Sequence, residues 1–324
     1  MLSTINAGME ETVRWQRIYR GEREDAEMSQ FMIYFKEARP QFLILTPICV
    51  AVGAAAAHWQ AGHINLLYLA IAMVGGIAAH TAVNVLNDYH DFKSGLDFKT
   101  PKTPFSGGSG MLPRQEMPAL AALIFGLLAL AVTIAVGIFF FVLHGWGVFL
   151  ILIPGVLLVV SYTEWITRRP LLCLLAPGLG FGPCMVLGTY FALQGRFDGV
   201  ALAASIVPGF LVSNLLLLNQ FPDAEADRTV GRRHLPILIG KRNSAIVYAV
   251  FALSTYLWLI IGTILGFFPP FALLALLPIP IVLRTIWGIW QSLDEEEAII
   301  PFLGQNVVVT LLTPLLLAIG LFIA

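Results

Sequence analysis

Long apolar runs separated by short polar stretches make up most of this chain. Nine runs are about 20 residues long, enough to cross a bilayer core of about 30 Å as helices. They cover about 40–60, 66–87, 117–142, 146–165, 172–193, 199–221, 244–266, 271–290 and 302–323. The runs are continuously apolar and do not alternate with a period of two, so the pattern predicts helices and not barrel strands. Pro154, Pro183 and Pro208 fall inside spans, which membrane helices tolerate when neighbours re-satisfy the backbone. The expected fold is all-α: a polytopic bundle of nine transmembrane helices over residues 31–324, after a polar segment at 1–30.

That first segment mixes four arginines with six acids and shows no apolar stretch behind a basic start. No cleavable signal peptide is expected, and a surface helix or a disordered tail both fit. Composition agrees with the span pattern. Of 324 residues, 58% are hydrophobic and 12% charged, where soluble domains carry about 25% charged. An ordinary soluble globule is excluded, and a net charge of −1 excludes a nucleic-acid binder. Cys49, Cys173 and Cys184 all lie in apolar stretches and read as small core residues.

The charged positions then set the topology. With nine helices, the N-terminus and the even-to-odd connections share one side. That side, with Arg284 at the adjoining helix end, holds all of the 19 Lys and Arg except Arg196. Basic loops face the cytoplasm, so the N-terminus is expected inside and the C-terminus outside. The acids sort the same way, with only Asp198 on the outer side. Acids carry little weight in the topology rule, so their clustering calls for a chemical reason.

Two constellations stand out. Asn84, Asp88 and Asp91 share a helix face at the inner end of the second span, with Asn87 beside them and Asp97 shortly after. Asn219, Asp223 and Asp227 share a face at the inner end of the sixth, where Pro222 can kink or end the helix. The amide followed four residues later by a carboxylate suggests that the two spans play matched roles. Facing carboxylates at a membrane edge repel and cost desolvation. Mg2+ removes both objections, since it takes oxygen ligands and commonly joins one or two carboxylates to a substrate phosphate.

The basic residues supply the complement. Arg39 stands at the inner end of the first span. Lys93, Lys99 and Lys102 flank the first constellation beside the run Ser106-Gly-Gly-Ser-Gly110. Arg228, Arg232 and Arg233 follow the second. Cations next to acids and a metal suit a leaving diphosphate, and a glycine run presents backbone N–H groups to phosphate. Glu116 and Glu164 read as solvated caps, Arg168 and Arg169 as headgroup anchors, Asp294–Glu297 as a solvated loop, and His90 and His234 as interfacial.

With these motifs in view, the sequence resembles the UbiA superfamily of intramembrane prenyltransferases, and within it the 1,4-dihydroxy-2-naphthoate polyprenyltransferase branch. The resemblance runs over about 31–323. It rests on Ala38-Arg39-Pro40 with Thr46-Pro47, on Asn87-Asp88-Tyr-His-Asp91 through Gly95-Leu-Asp97, on Phe181-Gly182-Pro183 through Tyr190, and on Asp223-Ala-Glu-Ala-Asp227 through Gly231-Arg-Arg. The sequence departs at Pro222, where many naphthoate enzymes carry Arg. It also lacks the Arg-Thr-x-x-Arg-Pro run of the 4-hydroxybenzoate and haem O relatives.

The resemblance implies Mg2+-dependent transfer of a polyprenyl chain from its diphosphate to an aromatic ring, with loss of the ring carboxylate in the naphthoate branch. It implies Asp88, Asp91, Asp97, Asp223 and Asp227 as metal ligands. Arg39, Asn84, Lys93, Lys102, Asn219, Arg228, Arg232 and Arg233 are implied around the diphosphate. Asp88, Asp91, Asp223 and Asp227 carry the catalysis, and a loop over about 92–114 would exclude water by closing. The partners implied are a polyprenyl diphosphate, an aromatic acceptor and the bilayer, with no nucleic acid and no obligate protein partner. Homogentisate, a chlorophyllide, another phenol or an alcohol stay open as acceptors. From another class, a transporter with intramembrane carboxylates stays open too.

Overall fold

The computed structural model describes residues 29–100, 103, 107–293 and 295–324. Residues 1–28 and Lys102 lie outside these. Every regular element among the described residues is helical. A short surface helix comes first: α1, Gln30–Glu37, capped by Ser29, whose Oγ accepts from the Met32 N–H at 3.3 Å. Eight helices long and apolar enough to cross a membrane follow, with one shorter apolar helix among them. In chain order they are α2 (Pro40–Ala61), α3 (Leu66–Ser94), α4 (Ala119–His144), the shorter α5 (Trp146–Ser161), α6 (Pro170–Gln194), α7 (Gly199–Thr229), α8 (Gly240–Ile264), α9 (Pro270–Gln291) and α10 (Glu297–Phe322).

The nine expected segments are all helical, but the fourth is cut short. Its apolar run meets Ser161, Thr163 and Glu164, and the chain turns there into a short 3-10 segment, Ile166–Arg168. Pro222 does not end its helix. α7 continues through Pro208 and Pro222 to Thr229, as a membrane helix can when neighbours surround the freed carbonyls.

Most of α7 is buried, and it forms the centre of the bundle against α2, α6, α8 and α10. Glycine lets α6 approach it closely: a Cβ on Gly178 would lie 2.2 Å from the Gly209 carbonyl oxygen, and one on Gly182 2.4 Å from that of Ser205. With no hydrophobic drive between helices in lipid, such contact and interhelical hydrogen bonds hold the bundle. Tyr248 donates to Asn306 at 2.9 Å, and Asn214 to the Tyr248 carbonyl at 2.8 Å. Leu66, Leu128, Leu150 and Leu257 stay exposed on the outer surface, where acyl chains are their solvent.

The ends sort as the connections require. Lys99 donates to Thr229 at 3.3 Å, the Arg233 N–H to the Thr167 carbonyl at 2.9 Å, and His90 meets Glu164 at 3.0 Å. The end of α3, the start of α6 and the end of α7 therefore share one edge. At the opposite edge His58 stacks on Phe322, and His144 bonds the Ala192 carbonyl at 3.0 Å.

Candidate active site

The two acidic constellations meet at the first edge, at the mouth of an interior cavity of about 390 Å³. Asp91, Asp97, Asp223, Asp227, Arg39, Asn84, Asn219, Arg232 and His234 line that end. Ala72, Phe140, Val148, Leu152 and Ala192 line the far end. A polar head and an apolar tunnel thus share one space.

Asp88 is buried behind the head. Arg39 forms an ion pair with its Oδ1, and the Ser109 N–H donates to its Oδ2 at 2.7 Å. Two local features aim those donors. Arg39 has φ +56, a left-handed conformation that costs a non-glycine residue about 1–2 kcal/mol. The glycine run turns sharply, with positive φ at Gly107, Gly108 and Gly110, and lays itself over the acids. A Cβ on Gly108 would stand 3.1 Å from Asp97 Oδ1 and 3.2 Å from Arg39 Nη2.

Arg232 joins the two constellations. It forms an ion pair with Asp91 and another with Asp227 at 2.8 Å. α7 ends at Thr229, and Gly231 at φ +82 reverses the chain, so Arg232 points inward. Burial works against its charge, but Asp91 and Asp227 outweigh burial and hold the guanidinium above its ordinary range. His234 is 1% exposed and bonds Asp227 Oδ2 at 2.8 Å. The interfacial reading of that histidine is therefore corrected: it is held inside the protein by a carboxylate on the neighbouring turn, with Nδ1 buried and without a partner among the described residues.

Of the remaining expected residues, Asn84 donates to the Ala38 carbonyl at 3.1 Å, and Asn219 Oδ1 is buried with no partner among the described residues. Three cations lie elsewhere. Lys93 sits over the Tyr89 ring at 5.9 Å, Arg228 pairs with Glu225 at 3.7 Å on the surface, and the Arg233 side chain is exposed. None of the three lines the cavity.

Glu37 and Tyr162 belong to the site without having been singled out in the sequence, and Asn87, noted there beside the first constellation, joins them. Glu37 is fully buried and accepts from Ser109 Oγ at 2.6 Å. Burial, then the Asp88 charge, push its carboxyl up to about 7. Asn87 donates to Asp91 at 3.2 Å and to Thr163 at 3.1 Å. Tyr162 lines the cavity, and burial raises its phenol well above the ordinary range.

The donor set suits a hard divalent cation: carboxylate oxygens from two helices and one 3-10 turn, with the unpartnered, buried Asn219 amide oxygen in the lining of the same cavity. Among the described residues no three acids or histidines converge as a ready cluster. Arg39 and Arg232 stand between the carboxylates and neutralise them.

An apolar tunnel headed by paired carboxylates and arginines has the shape and charge that suit an amphiphile with an anionic head. The family model of the UbiA prenyltransferase family matches residues 45–322, and the chain belongs to that family and is a prenyltransferase. It is 25% identical over 308 residues to 1,4-dihydroxy-2-naphthoate octaprenyltransferase of Escherichia coli, covering 93% of this chain and 98% of that one. To the Bacillus subtilis protein of the same name it is 26% identical over 281 residues, covering 84% and 88%. Its fold matches a UbiA homologue from Archaeoglobus fulgidus, solved bound to GPP and Mg2+. That match has a TM-score of 0.61 at 11% identity and covers 90% of this chain and 100% of that chain.

Proposed function

We propose that this protein transfers a polyprenyl chain from its diphosphate to 1,4-dihydroxy-2-naphthoate, a step of menaquinone synthesis. The observation that carries the reading is the joining of an acid–arginine head to an apolar tunnel in one cavity. Diphosphate fits the head and an isoprenoid fits the tunnel. The names of the two relatives support the naphthoate acceptor.

Asp88, Asp91, Asp223 and Asp227, with Asp97 beside them, would hold Mg2+, which supplies charge neutralisation at the diphosphate when bound. Arg39 and Arg232 turn from carboxylate to phosphate and stabilise charge on the leaving group. Transition-state electrostatics of this kind is usually the largest catalytic contribution. Asn84 and Asn219 orient the head group. The C–O bond at the allylic carbon breaks, and its electron pair leaves with the diphosphate. The ring carbon bearing the carboxylate forms the new C–C bond, and CO2 departs as the ring regains aromaticity. Gly108, Ser109 and the apolar wall keep water from the allylic cation. The sorting of the basic loops supports a cytoplasmic face for this head.

Purified protein given farnesyl diphosphate, 1,4-dihydroxy-2-naphthoate and Mg2+, with an EDTA control and a panel of other phenols, tests the reading by mass spectrometry. A decarboxylated prenyl naphthoquinol formed only with Mg2+ is expected. Product from another phenol alone would overturn the acceptor, and no product from any would overturn the reaction.

A further inference from the structure

The tunnel beneath the acid head stays open at mid-membrane because two helices on its wall carry glycine at the same level. Gly155 on α5 lies seven positions before Tyr162, and Gly180 on α6 seven positions after Cys173. Tyr162 and Cys173 both line the cavity near the head, and the Gln220 Nε2 meets Cys173 Sγ there at 3.3 Å. At 1.5 Å per helical residue, both glycines sit about 10 Å below that level.

Both also line the cavity, and a Cβ built on either meets no atom within 4 Å. A side chain at either position would project into open tunnel. Other glycines on the same wall differ. A Cβ on Gly137 would strike Leu152 at 2.5 Å, and one on Gly75 would strike Val136 at 2.8 Å. Those two serve helix packing, whereas Gly155 and Gly180 serve space. Below them the cavity continues to Val148 on α5 and Ala192 on α6, the latter twelve residues further along its helix.

That depth has a chemical measure. A peptide repeat of three bonds spans at most about 3.6 Å, so the four-bond isoprene repeat spans about 4.8 Å when extended. Two repeats below the diphosphate reach the level of the glycines, and every further repeat extends past that level. The prenyl-transfer reading leaves the donor's length open, and the inference here rests on that reading and completes it.

We propose that Gly155 and Gly180 set donor length in this enzyme, keeping a mid-membrane waist open so that isoprenoid diphosphates longer than two units are its substrates. The waist acts only on the tail. Filling it leaves the head, and so the chemistry on a short donor, untouched.

The test uses the full chain in lipid nanodiscs, with the variants Gly155→Leu and Gly180→Leu. Turnover of geranyl, geranylgeranyl and octaprenyl diphosphate is measured with one acceptor. Either variant is expected to keep kcat/KM for the geranyl donor within about twofold and to lose about tenfold or more for the two longer donors. An equal loss on all three donors, or unchanged turnover of the longer two, would overturn the waist. Displacement of labelled geranyl diphosphate by the longer donors reads the same discrimination without chemistry. If wild type binds these donors but alkylates no acceptor, the transfer reading fails while this measurement still decides the waist. Unchanged relative affinities in the variants would then overturn it.

Discussion

Ser109 donates a 2.6 Å hydrogen bond to Glu37, and through that contact the glycine loop is fastened to the surface helix that precedes the first span. The same residue's backbone N–H holds Asp88, so the fastening and the acid head are two sides of one loop.

Glu37 gives the site a pH signature. Its carboxyl is raised to about 7 by burial and by Asp88, so the native state binds more protons than the unfolded chain between its ordinary range and that value. Stability therefore falls as pH rises through this window. In metal-free protein, thermal unfolding followed from about pH 5 to about pH 8 should show a falling Tm. Glu37→Gln should flatten that slope and retain the Ser109 contact. A wild-type Tm that rises across the window would be the contrary result.

Removing one acid from each constellation tests the head. Asp88→Asn and Asp223→Asn should each lower Mg2+-dependent turnover by about 10²–10³-fold. Size-exclusion profiles should stay near wild type, since neither change touches helix packing; Asp223→Asn, at a half-buried acid, should hold Tm, whereas Asp88→Asn removes the carboxylate paired with Arg39 and should lower it.

The neighbouring arginines should separate sharply. Arg232 is 15% exposed at its side chain and bridges Asp91 to Asp227, whereas Arg228 is 58% exposed and pairs with Glu225. Arg232→Ala leaves two buried carboxylates uncompensated and should cost about 3–5 kcal/mol of stability together with activity. Arg228→Ala should cost less than about 1 kcal/mol and leave turnover within about twofold. Denaturation in mild detergent and initial rates measure both.

A packing prediction follows from the α6–α7 crossing. Gly178→Val forces side-chain atoms against the Gly209 carbonyl, 2.2 Å from the first added carbon. A loss of about 1–3 kcal/mol or more is expected, read as a lower Tm. Gly155→Val, facing open tunnel, should leave Tm unchanged.

Much of this architecture is legible in the residue pattern. Continuous apolar runs mark the spans because lipid demands them, and the sorting of Lys and Arg fixes which ends meet. Asn84, Asp88 and Asp91 are set apart by spacing along one face, as are Asn219, Asp223 and Asp227, and the fold brings the two faces to one cavity. What the pattern does not resolve depends on turns and on contacts far apart in the chain. Whether Arg228, Arg232 or Arg233 points inward is decided by where α7 stops and by the reversal at Gly231. Glu37 carries no signal in the residue pattern, because only the glycine loop, 72 residues later, folds onto it. The early end of α5 at Ser161 is hidden because Tyr162, Trp165 and Ile166 keep the window apolar on average across Ser161, Thr163 and Glu164.

The central claim is that both acidic faces and the two inward arginines hold one diphosphate at the mouth of the tunnel. A structure of the full chain with farnesyl thiodiphosphate and Mg2+ measures this directly. The account predicts the diphosphate between Asp88/Asp91 and Asp223/Asp227, Arg39 and Arg232 turned onto phosphate oxygens, and the tail running toward Gly155 and Gly180. A diphosphate bound away from either acidic face, or Arg232 still bridging Asp91 and Asp227 in the complex, would contradict it.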